Sequence, residues 1–405
     1  MPTFNPATFD PTDAEFLQNP YATYAEFRTS APVKKVIYPK VPGRKDESSF
    51  WVFDDALIRE VCHPSNKQIF LKQKFGTGTA DRGLFTMDPE DHTDARKLLE
   101  PMVAKIIATA TTSATKNAND ILTRILKGPK KGFDFVAEFA EPFSQQVFFE
   151  TFGLADKTLL KDIVDWVSTI FKYTDITQTT VNQDLADTAK GALALKLHNS
   201  FNSNLPSGSL MSLLETMPIN NTVDYRHRAG HATSFCVGGY LSNQFLLAQG
   251  IQHTLGDTSA KAAMANAVSN ATTKPNLLKD AIDEIMRFDA PLQMADRYAA
   301  QNTSLGGVAI QKDDRITLVY GSANRDVKRF PSNPDMLDLT RGGGPGFAFG
   351  HGIHECIAYA LAYTVATEGF KALFTRLPGL ALKNANAEYF PSPYYRRIDT
   401  LMVTF

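Results

Sequence analysis

The chain is poor in cysteine. Three cysteines among 405 residues, an odd number, exclude a disulfide framework and suit a reducing compartment. An excess of one charge is also missing. Lys and Arg number 42 against 43 Asp and Glu, for a formal net charge of −1, which argues against nucleic acid as the partner. The first residues, Met1 to Asp10, have neither a basic n-region nor an apolar h-region. No signal peptide and no membrane anchor is expected from them, and a cytoplasmic location follows. Internal repeats and low-complexity segments are lacking too. Aromatic residues are abundant: 28 phenylalanines suit a large apolar core and an apolar pocket.

Periodicity along the chain describes a mostly helical fold with small sheets. Asn19-Pro20 opens a first helix over Tyr21 to Ser30. Short β-prone runs follow at Val33–Tyr38 and Phe50–Phe53. Helical spacing then dominates from Asp94 to about Leu197. It is broken at Lys127-Gly128-Pro129-Lys130-Lys131-Gly132, which reads as a solvated turn, and again around Leu205-Pro206. A long, largely apolar helix is expected over about Val223 to Gln252. Strand-like alternation returns at Val308–Ile310, at Ile316–Tyr320 and at Leu401–Phe405. From Cys356 to Arg376, Leu361, Val365, Leu373 and Phe374 recur near a 3.6-residue period.

Of the three cysteines, Cys62 follows an amphipathic run and Cys236 lies inside an apolar one, so both read as core residues. Cys356 is different. It sits in Phe349-Gly350-His351-Gly352-Ile353-His354-Glu355-Cys356-Ile357-Ala358, behind two glycines that allow a tight loop. Backbone N–H groups in such a loop can point at the sulfur, lower its pKa and tune a bound metal. The alternative is a buried small hydrophobe in a glycine-rich turn. The run resembles the haem-binding signature of the cytochrome P-450 superfamily, with Ala358 where most members have glycine. The resemblance implies that Cys356 is the axial thiolate of haem b. It also implies that Phe349 and Gly350 shape the loop and that His354 reaches a charged group of the macrocycle.

Three further segments carry the same resemblance. Glu284 and Arg287 stand three apart on one helix face, 72 residues before the cysteine, and match the family's Glu-x-x-Arg pair. Ser322-Ala323-Asn324-Arg325-Asp326, followed by Phe330, Pro334-Asp335, Asp338 and Arg341, matches the downstream segment, with Arg325 as the third member of the charge cluster. Met87 to Arg96 looks like the helix that crosses the haem, where His92 and Arg96 would bind a propionate. Arg297 matches a further propionate ligand, since a carboxylate beside a macrocycle needs Arg or His donors. Taken alone, the Glu284–Arg287 pair would be an ordinary solvated ion pair. The resemblance runs from about Pro20-Tyr21 to Phe405. It implies one cytochrome P-450 domain over residues 1–405: a mainly α triangular prism with small β-sheets, the haem lying between a distal helix and the proximal helix after Cys356.

The long helix departs from the family pattern, in which glycines precede an acid and a threonine that deliver protons to bound dioxygen. Two registers are open. Ala229-Gly230-His231-Ala232-Thr233 keeps the threonine and loses the acid. Gly238-Gly239-Tyr240-Leu241-Ser242 keeps the glycines, with Leu241 for the acid and Ser242 for the threonine. Nine residues separate Thr233 from Ser242, about 900° of helix, so they face opposite sides. The second register centres the helix on its apolar portion and is preferred. It gives Gly239, Ser242 and Asn243 to the oxygen-activating site, with ordered water or the substrate completing proton delivery. The plainer alternative is that the glycines permit close helix packing and Ser242 is a satisfied core hydroxyl.

The family placement further implies pocket walls from Phe75 and Phe85, from Trp166, Phe171 and Tyr173, from Leu241, from Pro291, Leu292 and Gln293, and from Pro393 and Tyr394. Each of those aromatics fits a core role equally well. Such walls would enclose a small, flat, apolar substrate. The segment Tyr320 to Asn324 and the acid-free helix are similar to bacterial aromatic O-demethylases of the superfamily. The implied activity is insertion of one oxygen atom from O2 into a small organic substrate, with removal of an O-methyl group as one form. A peroxide-driven or otherwise non-oxygenating haem-thiolate enzyme is the alternative, and a non-catalytic haem sensor is a third reading. No flavin or ferredoxin module fits in this length, so electrons are expected from a separate ferredoxin or flavodoxin with its reductase. Arg96, Lys97 and Lys105 are candidates for its docking patch, or else ordinary solvated charges.

Overall fold

A computed structural model describes residues 9–38, 48–73, 83–129, 131–154, 156–174, 178, 180–201, 203–218, 225–384 and 387–405. Two short helices, α1 (Ala14–Gln18) and α2 (Tyr21–Ser30), precede strands β1 (Val33–Ile37) and β2 (Ser48–Val52). Helix α3 (Asp55–Cys62) follows, capped by Asp54, whose carboxylate accepts from the N–H groups of Ala56 and Leu57. After β3 (Phe70–Leu71) comes α4 (Asp91–Lys127), the longest helix, then β4 (Gly132–Asp134) and a turn of π-helix leading into α5 (Glu141–Phe152). Helices α6 (Lys157–Tyr173), α7 (Thr180–Ser200) and α8 (Leu210–Glu215) complete the first half.

The second half begins with α9 (Tyr225–Gly239), α10 (Leu241–Gly256), α11 (Thr258–Ser269) and α12 (Pro275–Phe288). Pro275 opens α12 at the position where its missing N–H costs nothing. Strands β5 (Met294–Ala299), β6 (Thr303–Leu305), β7 (Val308–Ile310) and β8 (Arg315–Val319) lead into the short α13 (Tyr320–Ala323). The long proximal helix α14 (Tyr359–Arg376) and strands β9 (Ala381–Leu382) and β10 (Met402–Thr404) close the chain. The main sheet has the order β1-β2-β8-β5-β3, and a second one pairs β4, β10 and β9. Within the main sheet only β2 and β8 run parallel.

Two apolar clusters fill the helical part. One joins the second half of α4 to α5, α10, α11, α12 and α14; the other joins the first half of α4 to α5–α9 and the start of α10. Two smaller clusters flank the main sheet. No helix among the described residues is long and apolar enough to cross a membrane.

The sequence reading and the structure differ most in the long helix. It runs as two segments, interrupted at Tyr240, which has φ −116° and ψ −37°. Two consecutive glycines weaken the helix there. The Tyr240 ring is drawn between Phe148 and Phe149 of α5, with centroids 5.8 and 5.9 Å away. Burial of that ring holds the break in place.

Candidate functional site

The Cys356 loop is held from both ends. Asn324 at the end of α13 accepts the Phe347 N–H through its Oδ1 at 2.6 Å, and the Phe349 carbonyl accepts the Cys356 N–H at 2.8 Å. The Phe349 ring packs on Tyr363 of α14, 5.5 Å between centroids. Gly350 and Gly352 have φ of +73° and +71°, where a side chain is strained. A Cβ at Gly352 would lie 2.0 Å from the Cys62 carbonyl oxygen, so this loop rests directly on the end of α3. Burial pushes the Cys356 thiol up, while the Ala358 N–H and the positive charge of Arg96 pull it down. Cys62 and Cys236 are buried, and Cys356 is half-buried.

Beside the loop stands a wall of basic groups. His92 on α4 is 1% exposed, its ring is 4.2 Å from that of His354, and its Nδ1 has no hydrogen-bond partner among the described residues. Burial, then the charges of Arg96, Lys72 and Arg297, lower the His92 pKa to about 4. The same causes, burial first and then Lys72, depress His354 strongly. Arg297, on β5, is buried and donates to the Asp296 carbonyl at 2.8 Å. Arg96 departs from expectation. Its guanidinium donates to the Ile353 and Glu355 carbonyls, at 3.2 and 2.5 Å, and pairs with Glu100 at 2.6 Å, so it braces the cysteine loop. Lys97 pairs with Asp94 at 3.2 Å. Arg96 and Lys97 are thus both ion-paired on α4, and Lys105 of the same helix is exposed.

Around the break between α9 and α10 the two registers separate. Thr233 is 3% exposed and donates to the Ala229 carbonyl at 2.8 Å. Its neighbour His231 accepts the Leu84 N–H at Nδ1, 3.1 Å away. Ser242 is half-buried and donates to the Gly238 carbonyl at 2.8 Å; Asn243 donates to the Gly239 carbonyl at 2.8 Å. The expectation for Gly239 is corrected: a Cβ there would lie 2.3 Å from the Phe148 ring, so that face is packed on α5. Gly238, whose Cβ would meet nothing within 4 Å, borders open space instead. Ser234, Gly238 and Ser242, four residues apart, form one line on the helix surface. Ile357 and Leu361 of the cysteine segment pack on the same large apolar cluster as Phe235, Val237 and Leu241.

The charge cluster is real but has a different third member. Arg287 donates twice to Glu284, at 2.7 and 2.8 Å, and to the carbonyls of Asn324 and Pro334 at 2.8 and 2.9 Å. Arg341 supplies the third charge, donating to Glu284 at 3.0 Å. Arg325 does not reach Glu284. Its guanidinium lies over the rings of Tyr21 and Phe288, 3.4 and 3.9 Å from their centroids, and donates to the Phe288 carbonyl at 2.7 Å. The Ala-Asn-Arg-Asp motif made Arg325 conspicuous, whereas the path of the glycine-rich chain before Phe347 decides that Arg341 arrives.

Of the expected pocket residues, Phe75 lies outside the described residues. Phe85 is 61% exposed with the Lys72 Nζ 4.6 Å from its ring centroid. Phe171 packs on Phe245 at 5.9 Å and on Tyr395 at 4.8 Å, and Leu292 bridges to Tyr395. Trp166 packs on the same cluster as Phe171. Tyr394 is corrected: it is buried, and its hydroxyl donates to the Asp296 carboxylate at 3.0 Å, so Tyr395 takes the place assigned to it. Gln293 is turned inward, donating to the Ala290 carbonyl at 2.8 Å. Pro291 and Leu241 are buried. Two residues were missed: Tyr395, indistinguishable in sequence from its neighbour, and Lys72, which follows a two-residue strand and belongs to no motif.

A half-buried cysteine and a wall of basic donors with one unpartnered buried imidazole nitrogen fit a flat macrocycle that bears carboxylates. That combination defines a haem-thiolate site. A family model described as Cytochrome P450 matches residues 247–364. The chain is 24% identical to the biotin biosynthesis cytochrome P450 of Bacillus subtilis, over 97% of this chain and 98% of that one. It is 27% identical to the vitamin D(3) 25-hydroxylase of Pseudonocardia autotrophica, over 96% and 94%. Among solved structures, cytochrome P450 PksS of the Bacillus subtilis 168 bacillaene polyketide synthase superposes with a TM-score of 0.82 at 21% identity, over 98% and 99% of the two chains. Over nearly its whole length the chain is similar to bacterial cytochrome P450s in sequence and in fold, a likeness that supports a monooxygenase whose cofactor is haem held by a cysteine thiolate.

Proposed function

We propose that Cys356 is the thiolate that holds the haem, that His92, His354 and Arg297 bind its carboxylates, and that one P450 domain accounts for residues 1–405. The observation that carries this is the pairing of one half-buried cysteine, its sulfur facing the Ala358 N–H, with the basic wall beside it. Cys62 and Cys236 are core residues by their burial. Haem bound there supplies the activation of dioxygen, so that one oxygen atom enters a substrate C–H bond and the other leaves as water with two electrons and two protons. The chain's own part is to hold the substrate and manage water and protons. Leu84, Met87, Phe171, Leu292 and Tyr395 supply apolar and aromatic walls that exclude water. Ser242 offers a hydroxyl beside the open line at Gly238, and with Leu241 buried, the proton path runs through Ser242 and water. Phe349 and Gly350 keep the cysteine loop in shape.

The finer reading is oxidation of a methoxy carbon, which releases a phenol and formaldehyde. The aromatic pair Phe171 and Tyr395 supports a flat substrate. Electrons come, in this reading, from a ferredoxin or flavodoxin with its reductase, in the cytoplasm. A peroxide-driven reaction is the second reading, favoured by the leucine where the family carries its acid.

The test is optical. Titrating the oxidised protein with methoxyarenes, terpenes and fatty acids should give a saturable low- to high-spin shift with methoxyarenes alone, and formaldehyde should then appear in proportion to electrons supplied. A shift only with fatty acids or terpenes overturns the demethylation reading. Turnover with hydrogen peroxide alone, undiminished without a reductase, would favour the second. Cys356→Ser should lose the red-shifted ferrous–carbonyl band that marks a thiolate ligand; its survival would overturn the assignment of Cys356.

A further inference from the structure

Lys72 lies two residues beyond Phe70, where β3 joins the sheet edge through β5. Its backbone N–H and that of Gln73 are both accepted by the Asp88 carboxylate, at 2.6 and 3.1 Å, so the segment is tied to the residues just before α4. The side chain is half-buried and passes over the exposed Phe85 ring, 4.6 Å from its centroid. The charged and titratable groups facing it come from every neighbouring element. Arg297 and Asp296 face it from β5, Cys62 from α3, and Asp88 from the segment it is tied to. His92 from α4 and His354 from the cysteine loop feel its charge in turn.

Basic groups dominate this space, two of them cationic side chains and two neutral imidazoles. Arg297, Lys72, His92 and His354 converge, and Asp88 and Asp296 are already engaged by backbone N–H groups and by Arg315, Thr317 and Tyr394. Burial and the adjacent Arg297 push the Lys72 pKa down to about 7, outweighing the opposite pull of Asp296 and Asp88. His92 keeps a buried Nδ1 without a partner among the described residues. Buried charges of one sign are stable only when paired.

We propose that the Lys72 ammonium binds a carboxylate in this space together with Arg297, and that the carboxylate is one on the haem edge. The assignment rests on the haem-thiolate reading above. It makes Lys72 a positioning residue that couples haem retention to the loop bearing Phe85. Loading places an anion beside Lys72 and raises its pKa, so a proton is taken up between about pH 7 and the raised value. Haem is therefore held less tightly as pH climbs through that window.

The test is haem loss from the holoprotein to excess apomyoglobin, followed by the Soret change from pH 6 to 9.5, for the native chain, Lys72→Met and Lys72→Arg. The native protein should lose haem faster above pH 8 than at pH 7. Lys72→Met should lose it about tenfold faster at pH 7, the effect of one charged hydrogen bond, with no further rise above pH 8. Lys72→Arg, always charged, should hold haem well and show no alkaline rise. An unchanged ferrous–carbonyl band in both variants confirms that ligation and fold are intact. Native retention in Lys72→Met at pH 7 overturns the proposal. If that variant instead weakens only the spin shift caused by carboxylate-bearing substrates, the carboxylate belongs to the substrate and the haem assignment falls. A native chain that purifies without haem would sink the underlying reading itself.

Discussion

Ser242 and Thr233 carry the same hydroxyl group in different surroundings. Both bond the carbonyl four residues back, but Thr233 is enclosed and Ser242 lies on the open line with Gly238. Ser242→Ala should leave stability within about 0.5 kcal/mol, as for exposed sites, and divert reducing equivalents from product to peroxide. Thr233→Ala should lose about 1 kcal/mol, the net worth of a buried hydrogen bond, with coupling intact. Peroxide yield per electron and urea midpoints distinguish them; the reverse pattern would reinstate the Thr233 register. Glu284 makes a similar point with arginines. Arg341→Ala leaves a buried carboxylate with one partner fewer and should cost about 3 kcal/mol. Arg325→Ala loses two ring contacts, roughly 2 kcal/mol, and both costs are read from unfolding midpoints.

At the scale of the element, the break between α9 and α10 decides what the distal surface presents. Its glycines are adjacent yet have opposite tasks. Gly239→Ala would force a methyl group into the Phe148 ring and should destabilise by about 1–3 kcal/mol, the usual cost of overpacking. Gly238→Ala adds a methyl group to open space. It should fold at least as well as the native chain, since alanine is the better helix former by up to about 1 kcal/mol, while weakening the substrate-induced spin shift. If Gly238→Ala were the damaging change and Gly239→Ala the silent one, the helix would be rotated from the orientation described here. His231 adds a tertiary restraint to the same element, since its Nδ1 holds the chain at Leu84 against α9.

Across the whole molecule, one buried carboxylate joins the two ends of the chain. Asp289, at the end of α12, accepts from Tyr21 of α2 at 2.5 Å, His253 of α10 at 2.7 Å, and Tyr389 and Arg396 of the C-terminal segment, each at 3.0 Å. Burial would raise its pKa, but Arg396 and His253 prevail and hold it far below the usual carboxylate range. The sign follows: a depressed folded-state pKa stabilises above the unfolded value near 4, and that contribution is lost as pH falls through the folded value. Asp289→Asn should cost about 3–5 kcal/mol at pH 7 by leaving Arg396 buried without its counter-charge. The deficit should shrink below pH 4, which unfolding midpoints at pH 7 and pH 3.5 would show.

Sequence alone determined what is local in spacing. Helix α2 over Tyr21–Ser30, the Glu284–Arg287 pair and the glycine-cysteine loop were legible because periodicity, i,i+3 spacing and positive-φ glycines act within a few residues. So was the likeness to the cytochrome P450 family, whose motifs are of that local kind. Only the tertiary structure decided which of two neighbours faces inward, as with Tyr394 and Tyr395 or Gly238 and Gly239, because a rotation of one residue changes the face without changing the pattern. Only it could show that Arg341 rather than Arg325 completes the charge cluster, and that Lys72 stands with Arg297, His92 and His354. Those partners come from segments far apart in the chain, and charges cluster by the path of the backbone in space, which short-range sequence pattern does not encode.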